Sequence, residues 1–181
     1  MILTMKLKLL AISLLAMTTL VACSSESSQT TISTASEQKD IKDLVNDYSV
    51  GNIKAESASI TSTQLITKDL NGNEEVFELP EDEFFVSIAP YITQTHPCTN
   101  HSLTSCQGEM INKEFDVTIK DTEGNVIVDE KMKTQANGFI DLWVARDKTF
   151  EISIEHEGKK VESTFSSFEK DGTCITTLQL L

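Results

Sequence analysis

The sequence predicts a mainly β protein, with a small α/β N-terminal part and a C-terminal antiparallel β-sandwich. Three observations carry this. From Lys113 onward, apolar residues alternate with polar ones, as in Phe115, Val117 and Ile119 and again in Phe150, Ile152 and Ile154, which is the period of a half-buried strand. Turn signals such as Gly124-Asn125, Glu157-Gly158 and Asp171-Gly172 separate these runs at short intervals, as a sandwich requires. Helical spacing is limited to one short stretch, where Ile41, Leu44, Val45 and Tyr48 share a face.

The chain opens with a targeting pattern. Lys6 and Lys8 form a positive n-region, and Leu9 to Leu20 is an apolar run too short to span a bilayer. Leu20-Val21-Ala22-Cys23 resembles a bacterial lipobox, in which the cysteine carries a lipid and becomes the mature N-terminus. Ser24 to Lys39 is mostly Ser and Thr, with Ile32 its one large apolar residue. Such a stretch buries too little surface to offset its ordering entropy, so it reads as a disordered tether.

A short helix follows, capped by Asp40 and ended by Gly51. Ser59 to Ile66 and Glu75 to Leu79 read as a hairpin about Asn71-Gly72-Asn73. Phe84 to Ile88 is an apolar strand closed by Pro90, and His96 to Glu109 has no period and reads as a structured loop. Val126 to Val128, Phe139 to Val144, Val161 to Phe165 and Thr173 to Leu180 supply the remaining strands. Trp143 and Phe139 are read as core on one strand face, with Asp141 on the other. Met110 and Met132 are read as packing residues and His156 as a solvated edge histidine. The C-terminal order of strands and Gly-containing turns is similar to the small transthyretin-like (or Ig-like) sandwiches of bacterial surface proteins. Four stretches result: a lipoprotein signal peptide over 1–22, the tether over 23–39, a small α/β domain over 40–112 ending in the cysteine–histidine loop, and the sandwich domain over 113–181.

With 28 acidic against 15 basic residues, the chain carries a net charge of −13. That surface repels nucleic acid and anionic lipid, which removes both as recognition partners. No phosphate-binding loop, EF-hand or nucleophile motif is present in the sequence.

The chemistry lies in the 4 cysteines. Cys23 belongs to the lipid motif. Cys98, Cys106 and Cys174 remain, an odd number of thiols in a compartment that favours disulfides. His96 and His101 frame Cys98, and Glu109 follows Cys106. The residues alone leave several arrangements open. Cys98 and Cys106 are near enough in sequence to form a disulfide, leaving Cys174 idle. Three separate core thiols are a second arrangement. A shared soft metal ion is the third and preferred one, because thiolates select Cu(I) or zinc and imidazole suits Cu(II) as well. In a zinc site, His96 or His101 would complete a Cys3His set.

His96-Pro97-Cys98-Thr99-Asn100-His101-Ser102-Leu103-Thr104-Ser105-Cys106-Gln107-Gly108-Glu109 resembles the signature of the CueP family of periplasmic copper-binding proteins. So do Gln135-Ala136-Asn137-Gly138-Phe139-Ile140-Asp141-Leu142-Trp143 and Thr173-Cys174-Ile175-Thr176-Thr177-Leu178. The resemblance covers roughly residues 40–181. It implies copper binding outside the cytoplasm, copper resistance, reduction of Cu(II) to Cu(I) by cysteine thiols, and delivery of copper to an exported superoxide dismutase. It places Cys98, Cys106 and Cys174 at the copper, with His96 and His101 as flanking histidines. Val144-Ala145 stands where Leu-Pro is expected before Arg146-Asp147, and the lipobox implies an anchored form.

Together these readings give a membrane-anchored copper-binding lipoprotein that is not an enzyme. Its metal ligands are Cys98, Cys106, Cys174, His96 and His101, with Glu109 ordering them from behind and Cys23 lipidated. Copper, as Cu(I) and also Cu(II), is the expected ion and zinc the lesser one. A thiol reductant and an exported cuproenzyme are the expected partners, and a homodimer stays open. The alternatives are an adhesion-type surface module with one disulfide and no metal, and a zinc-binding module.

Overall fold

The computed structural model describes residues 31–33 and 38–181, with side chains from Ile41 onward. The signal segment, Cys23 and most of the tether lie outside the described residues, so their assignments are expectations. No described helix is long and apolar enough to cross a membrane.

The elements are β1 (Thr31–Ser33), α1 (Gln38–Ser49), β2 (Ser57–Ile60), β3 (Gln64–Lys68), β4 (Glu74–Glu78), β5 (Glu83–Ile88), β6 (His101–Ser102), β7 (Glu114–Asp121), β8 (Val126–Lys133), β9 (Ile140–Ala145), β10 (Thr149–His156), β11 (Lys159–Ser166) and β12 (Cys174–Ile175). They form a sheet in the order β1-β4-β3-β2-β6, a second in the order β11-β10-β7-β8 and a third in the order β12-β5-β9. A mainly β fold with antiparallel sheets is what the sequence indicates.

The third sheet organises the rest, and β5 explains why. Its run Phe84-Phe85-Val86-Ser87-Ile88 is buried at every position, as expected of a strand covered on both faces. Phe84, Val86 and Ile88 point into one core with Phe115, Val117, Ile119, Phe150, Ile152 and Ile154 of the four-stranded sheet. That is the sandwich. Phe85 points the other way, into a second core with Ile41 and Val45 of α1 and Ala58, Ile60, Leu65 and Leu103. Trp143 packs against this core, its ring edge-on to Phe85 with centroids 5.3 Å apart.

Several expectations need correction. β5 pairs antiparallel with β9 and parallel with β12, so strands from both halves of the chain share one sheet. Alternation along β5 serves two cores at once, which a single sequence half cannot reveal. Ser59 to Ile66 is two strands, because Thr61 folds the chain, its Oγ1 accepting from the amides of Thr63 (3.3 Å) and Gln64 (3.0 Å). α1 begins at Gln38, so Asp40 lies in its first turn rather than at its cap; it ends as expected before Gly51, whose φ is +76°. Thr31–Ser33, assigned to the tether, pair in parallel with Glu75 to Phe77; the β-branched Thr31 and Ile32 suit the edge that β4 offers. Ile140 and Val144 face the sandwich, so Asp141 and Trp143 share the opposite face. The expected C-terminal strand is reduced to Cys174–Ile175. His156 is half-buried rather than freely solvated: it donates from Nδ1 to the Glu114 carbonyl (2.7 Å) and packs on Phe115. Met110 is buried in the sandwich core and Met132 packs against it.

Candidate metal centre

The cysteine–histidine loop leaves β5 at Pro90 and returns to β7, and it is held at several points by main-chain chemistry. Tyr91 bridges to Gln179 at the C-terminal end. The Glu109 carboxylate accepts from the amides of Ile92 (2.6 Å) and Thr93 (3.0 Å) and from the Thr93 hydroxyl. Desolvation works to raise its pKa, but these bonds prevail and hold it at about 2. Glu109 therefore staples the start of the loop to its end.

β6 pairs with β2, setting His101 opposite Ile60. The Thr173 hydroxyl accepts from the His101 amide (2.9 Å) and donates to the Ile60 carbonyl (2.6 Å). One buried side chain thus joins three segments. The Cys174 amide donates to the Thr99 carbonyl (3.0 Å). That approach needs Gly172, where a Cβ would lie 2.5 Å from the Thr99 oxygen. On the far side, the Gly108 amide donates to the Asn137 carbonyl (2.6 Å), and a Cβ at Gly108 would meet the Gly138 oxygen at 2.6 Å. The Gln135–Phe139 turn is thereby pressed against the loop. Such contacts are made by backbone that approaches too closely for any side chain.

These constraints bring together Cys98, His101, Cys106 and Cys174, one ligand atom from each lying within 4.8 Å of all the others. Cys98 and Cys174 form a disulfide, with Cα atoms 5.6 Å apart. Cys106 is a free thiol whose Sγ lies 3.6 Å from that of Cys98 and accepts from the Ser102 amide (3.4 Å). His101 Nδ1 lies 3.7 Å from the Cys174 sulfur. Ala89 and Phe139 wall the group, with the Phe139 ring 4.4 Å from the His101 ring. The alternative in which Cys98 pairs with Cys106 is not what forms: the bridge runs to Cys174, because the Thr99–Cys174 backbone contact sets those two side chains together.

His101 has 0 % of its surface exposed. Burial, and then the nearby His96, pull its pKa down to about 4, so at neutral pH it is a neutral imidazole with no proton to displace. Among the described residues its Nε2 has no hydrogen-bond partner, which costs folding energy unless a ligand completes the ring's interactions. His96 is not one of the converging four. It is half-buried beside the site, its ring 6.4 Å from that of Phe139. Glu109 likewise reaches the loop backbone and not a ligand side chain.

Sequence reasoning missed Asp141. Its carboxylate accepts from Ser87 Oγ (2.6 Å), Ser49 Oγ and Gln135 Nε2 (3.3 Å). Burial raises its pKa, and these three bonds oppose that. Ser87 is the register partner of both Asp141 and Cys174, so this polar node braces the strand beside the site. The glycines of Gln107-Gly108 and Asn137-Gly138 were a readable sign of close backbone approach, but not of which segments would meet.

With the thiols reduced, the constellation offers three soft sulfur donors and one imidazole, a set suited to Cu(I) and to tetrahedral zinc. The model of the family described as "Periplasmic copper-binding protein CueP" matches residues 40–179. The chain belongs to the CueP family. A solved structure described as "Crystal Structure of S.CueP" is 38% identical to it, with a TM-score of 0.72, over 78% of this chain and 89% of that one. No curated protein matches the chain. CueP membership accords with the β-rich architecture and with a clustered cysteine–histidine site.

Proposed function

We propose that this chain is an extracytoplasmic copper-binding protein that holds the ion between Cys98, Cys106, Cys174 and His101. The observation that carries this is the convergence of the C-terminal Cys174 on the two loop cysteines and a buried neutral imidazole. Three thiolates favour Cu(I), and His101 supplies a fourth donor without proton competition at neutral pH. His96, half-buried at the rim, is the group that meets an incoming Cu(II). Two thiolates then give one electron each, two Cu(II) become two Cu(I), and the sulfurs end as a disulfide. Renewal requires an external thiol reductant. The Cu(I) passes to an exported cuproprotein. Lipid on Cys23 tethers the protein to the cell membrane. The stoichiometry is that of a redox carrier and not of an enzyme.

A disulfide beside one free thiol also describes a metal-free surface module, and Cys3His also describes a zinc site. The position of Cys106, 3.6 Å from the bridge and not elsewhere in the core, favours a shared ion over the surface module. The test is to mix fully reduced protein with Cu(II) and a Cu(I)-specific chelator and count thiols before and after. Copper reduction yields chelated Cu(I) with an equal loss of thiols; no chelated Cu(I) and no lost thiols end the reading. Competition between Zn(II) and Cu(I) under reductant separates the metals. Replacement of Cys23 by Ser, with the protein then released from the membrane fraction, tests the anchor.

A further inference from the structure

The three cysteines are not equivalent. The Cys98–Cys174 bond uses two of the four candidate ligand atoms, so a bridged pair and a four-ligand site exclude each other. Bridging leaves Cys106 and His101.

We propose that Cys98 and Cys174 are the electron-donating pair, and that Cys106 with His101 is the ligand pair that retains one cuprous ion after those two have become a disulfide. This division deepens the cupric reduction proposed above and rests on it. In the balanced step, the thiols of Cys98 and Cys174 lose two protons to solvent and one electron each. Two Cu(II) become two Cu(I), and one S–S bond forms. One Cu(I) is held by the remaining thiolate and imidazole. The other finds no second donor pair in the site and leaves.

The geometry separates the roles. Cys98 and Cys174 are brought together by backbone and one buried hydroxyl: the Cys174 amide on the Thr99 carbonyl, the His101 amide on the Thr173 hydroxyl, and the side-chain-free approach of Gly172 to Thr99. Their Cα separation of 5.6 Å lies in the range a disulfide needs. Cys106 stands outside this clamp, on the turn closed by its own amide donating to the Ser102 carbonyl (3.1 Å). The Ser102 amide donates to its sulfur, which fixes where that sulfur sits. His101 is wholly buried, and among the described residues its Nε2 lacks a partner. A ligand atom of its ring lies within 4.8 Å of the Cys106 sulfur, close enough for one ion to bridge the two. One soft sulfur and one imidazole nitrogen suit Cu(I), which accepts low coordination numbers.

The test compares wild type with Cys106→Ser, Cys98→Ser and Cys174→Ser, each reduced, freed of metal and mixed with Cu(II) and a Cu(I) chelator. Acid quenching, alkylation and peptide mapping identify the bridge. Wild type and Cys106→Ser are both expected to end with Cys98 bonded to Cys174. Cys98→Ser and Cys174→Ser lose that bridge. Oxidised wild type then holds one Cu(I) against a weak chelator, and oxidised Cys106→Ser holds none. A Cys98–Cys106 bridge in wild type, which needs no variant to fold, overturns the assignment of the donor pair while leaving cupric reduction standing. Equal Cu(I) retention by oxidised wild type and Cys106→Ser overturns the ligand pair. A wild type that reduces no Cu(II) ends the reduction reading and the donor assignment with it, whereas Cu(I) retention by protein oxidised with a disulfide reagent still decides the role of Cys106.

Discussion

The sandwich and the cysteine loop sit side by side but are held by different forces. In the sandwich, Phe84, Phe115 and Phe150 are at most 1% exposed, and alternation on facing strands does the work. In the loop, order comes from single hydrogen bonds, made by the backbone, the Glu109 carboxylate and the Thr173 hydroxyl, from two glycine contacts and from sulfur. The sandwich is bulk apolar burial and tolerates exchange of one hydrophobe for another of like volume. The loop depends on a few contacts with no slack. A rigid scaffold carrying a tightly tethered loop is a common way to place reactive groups.

Substitutions on either side should separate the two regions. The largest effect is expected from Phe84→Ala. Removing a fully buried ring from the sandwich should cost about 3–5 kcal/mol, read as a lower urea midpoint. The fraction that still folds should bind copper with unchanged stoichiometry. Loss of copper binding in proportion to stability, within the folded fraction, would show that the regions are not separable.

Acid should act on the loop side. The pKa of His101 is about 4 in the folded protein against an ordinary 6.5, so the unfolded chain takes up a proton first. The stability is fully present above about pH 6.5 and is lost as the pH falls towards 4, a loss of about 3 kcal/mol for a shift of this size. Urea midpoints of metal-free protein across that window check it; His101→Gln should flatten the dependence.

Gly172→Ala should come next, at about 1–3 kcal/mol, typical of overpacking. Its Cβ would press on the Thr99 carbonyl and push Cys174 away from Cys98. The expected signature is slower formation of the Cys98–Cys174 bridge with the far-UV spectrum of the sheets unchanged. The smallest effect is expected from Glu109→Gln. This carboxylate is exposed, so its loss should cost about 0.5 kcal/mol or less. Faster hydrogen exchange at the amides of Ile92 and Thr93 is the readout. Unchanged exchange there would show that the loop is held without it.

The same contrast explains what the sequence could convey. Strands such as Phe115 to Ile119 and Phe150 to Ile154 were legible because each half-buried strand writes its period into the chain. The three cysteines and His101 were legible as soft ligands by type. β5 was legible as a strand, but its service to two cores was not, since a run apolar on both faces carries no sign of its partners. The Cys98–Cys174 pairing was hidden because it depends on Thr99, Gly172 and Thr173, three small residues whose meeting is a matter of topology. Asp141 was assigned to the wrong face, although it stands two residues from Trp143, and its burial depends on Ser49 and Ser87 from distant segments.

X-ray absorption of the reduced protein loaded with Cu(I), compared between wild type and Cys174→Ser, tests the shared site most directly. A first shell dominated by sulfur in wild type, losing sulfur in the variant, is the result expected if the last strand closes the site. An identical copper shell in both proteins would mean that Cys174 never meets the metal, and would contradict the account.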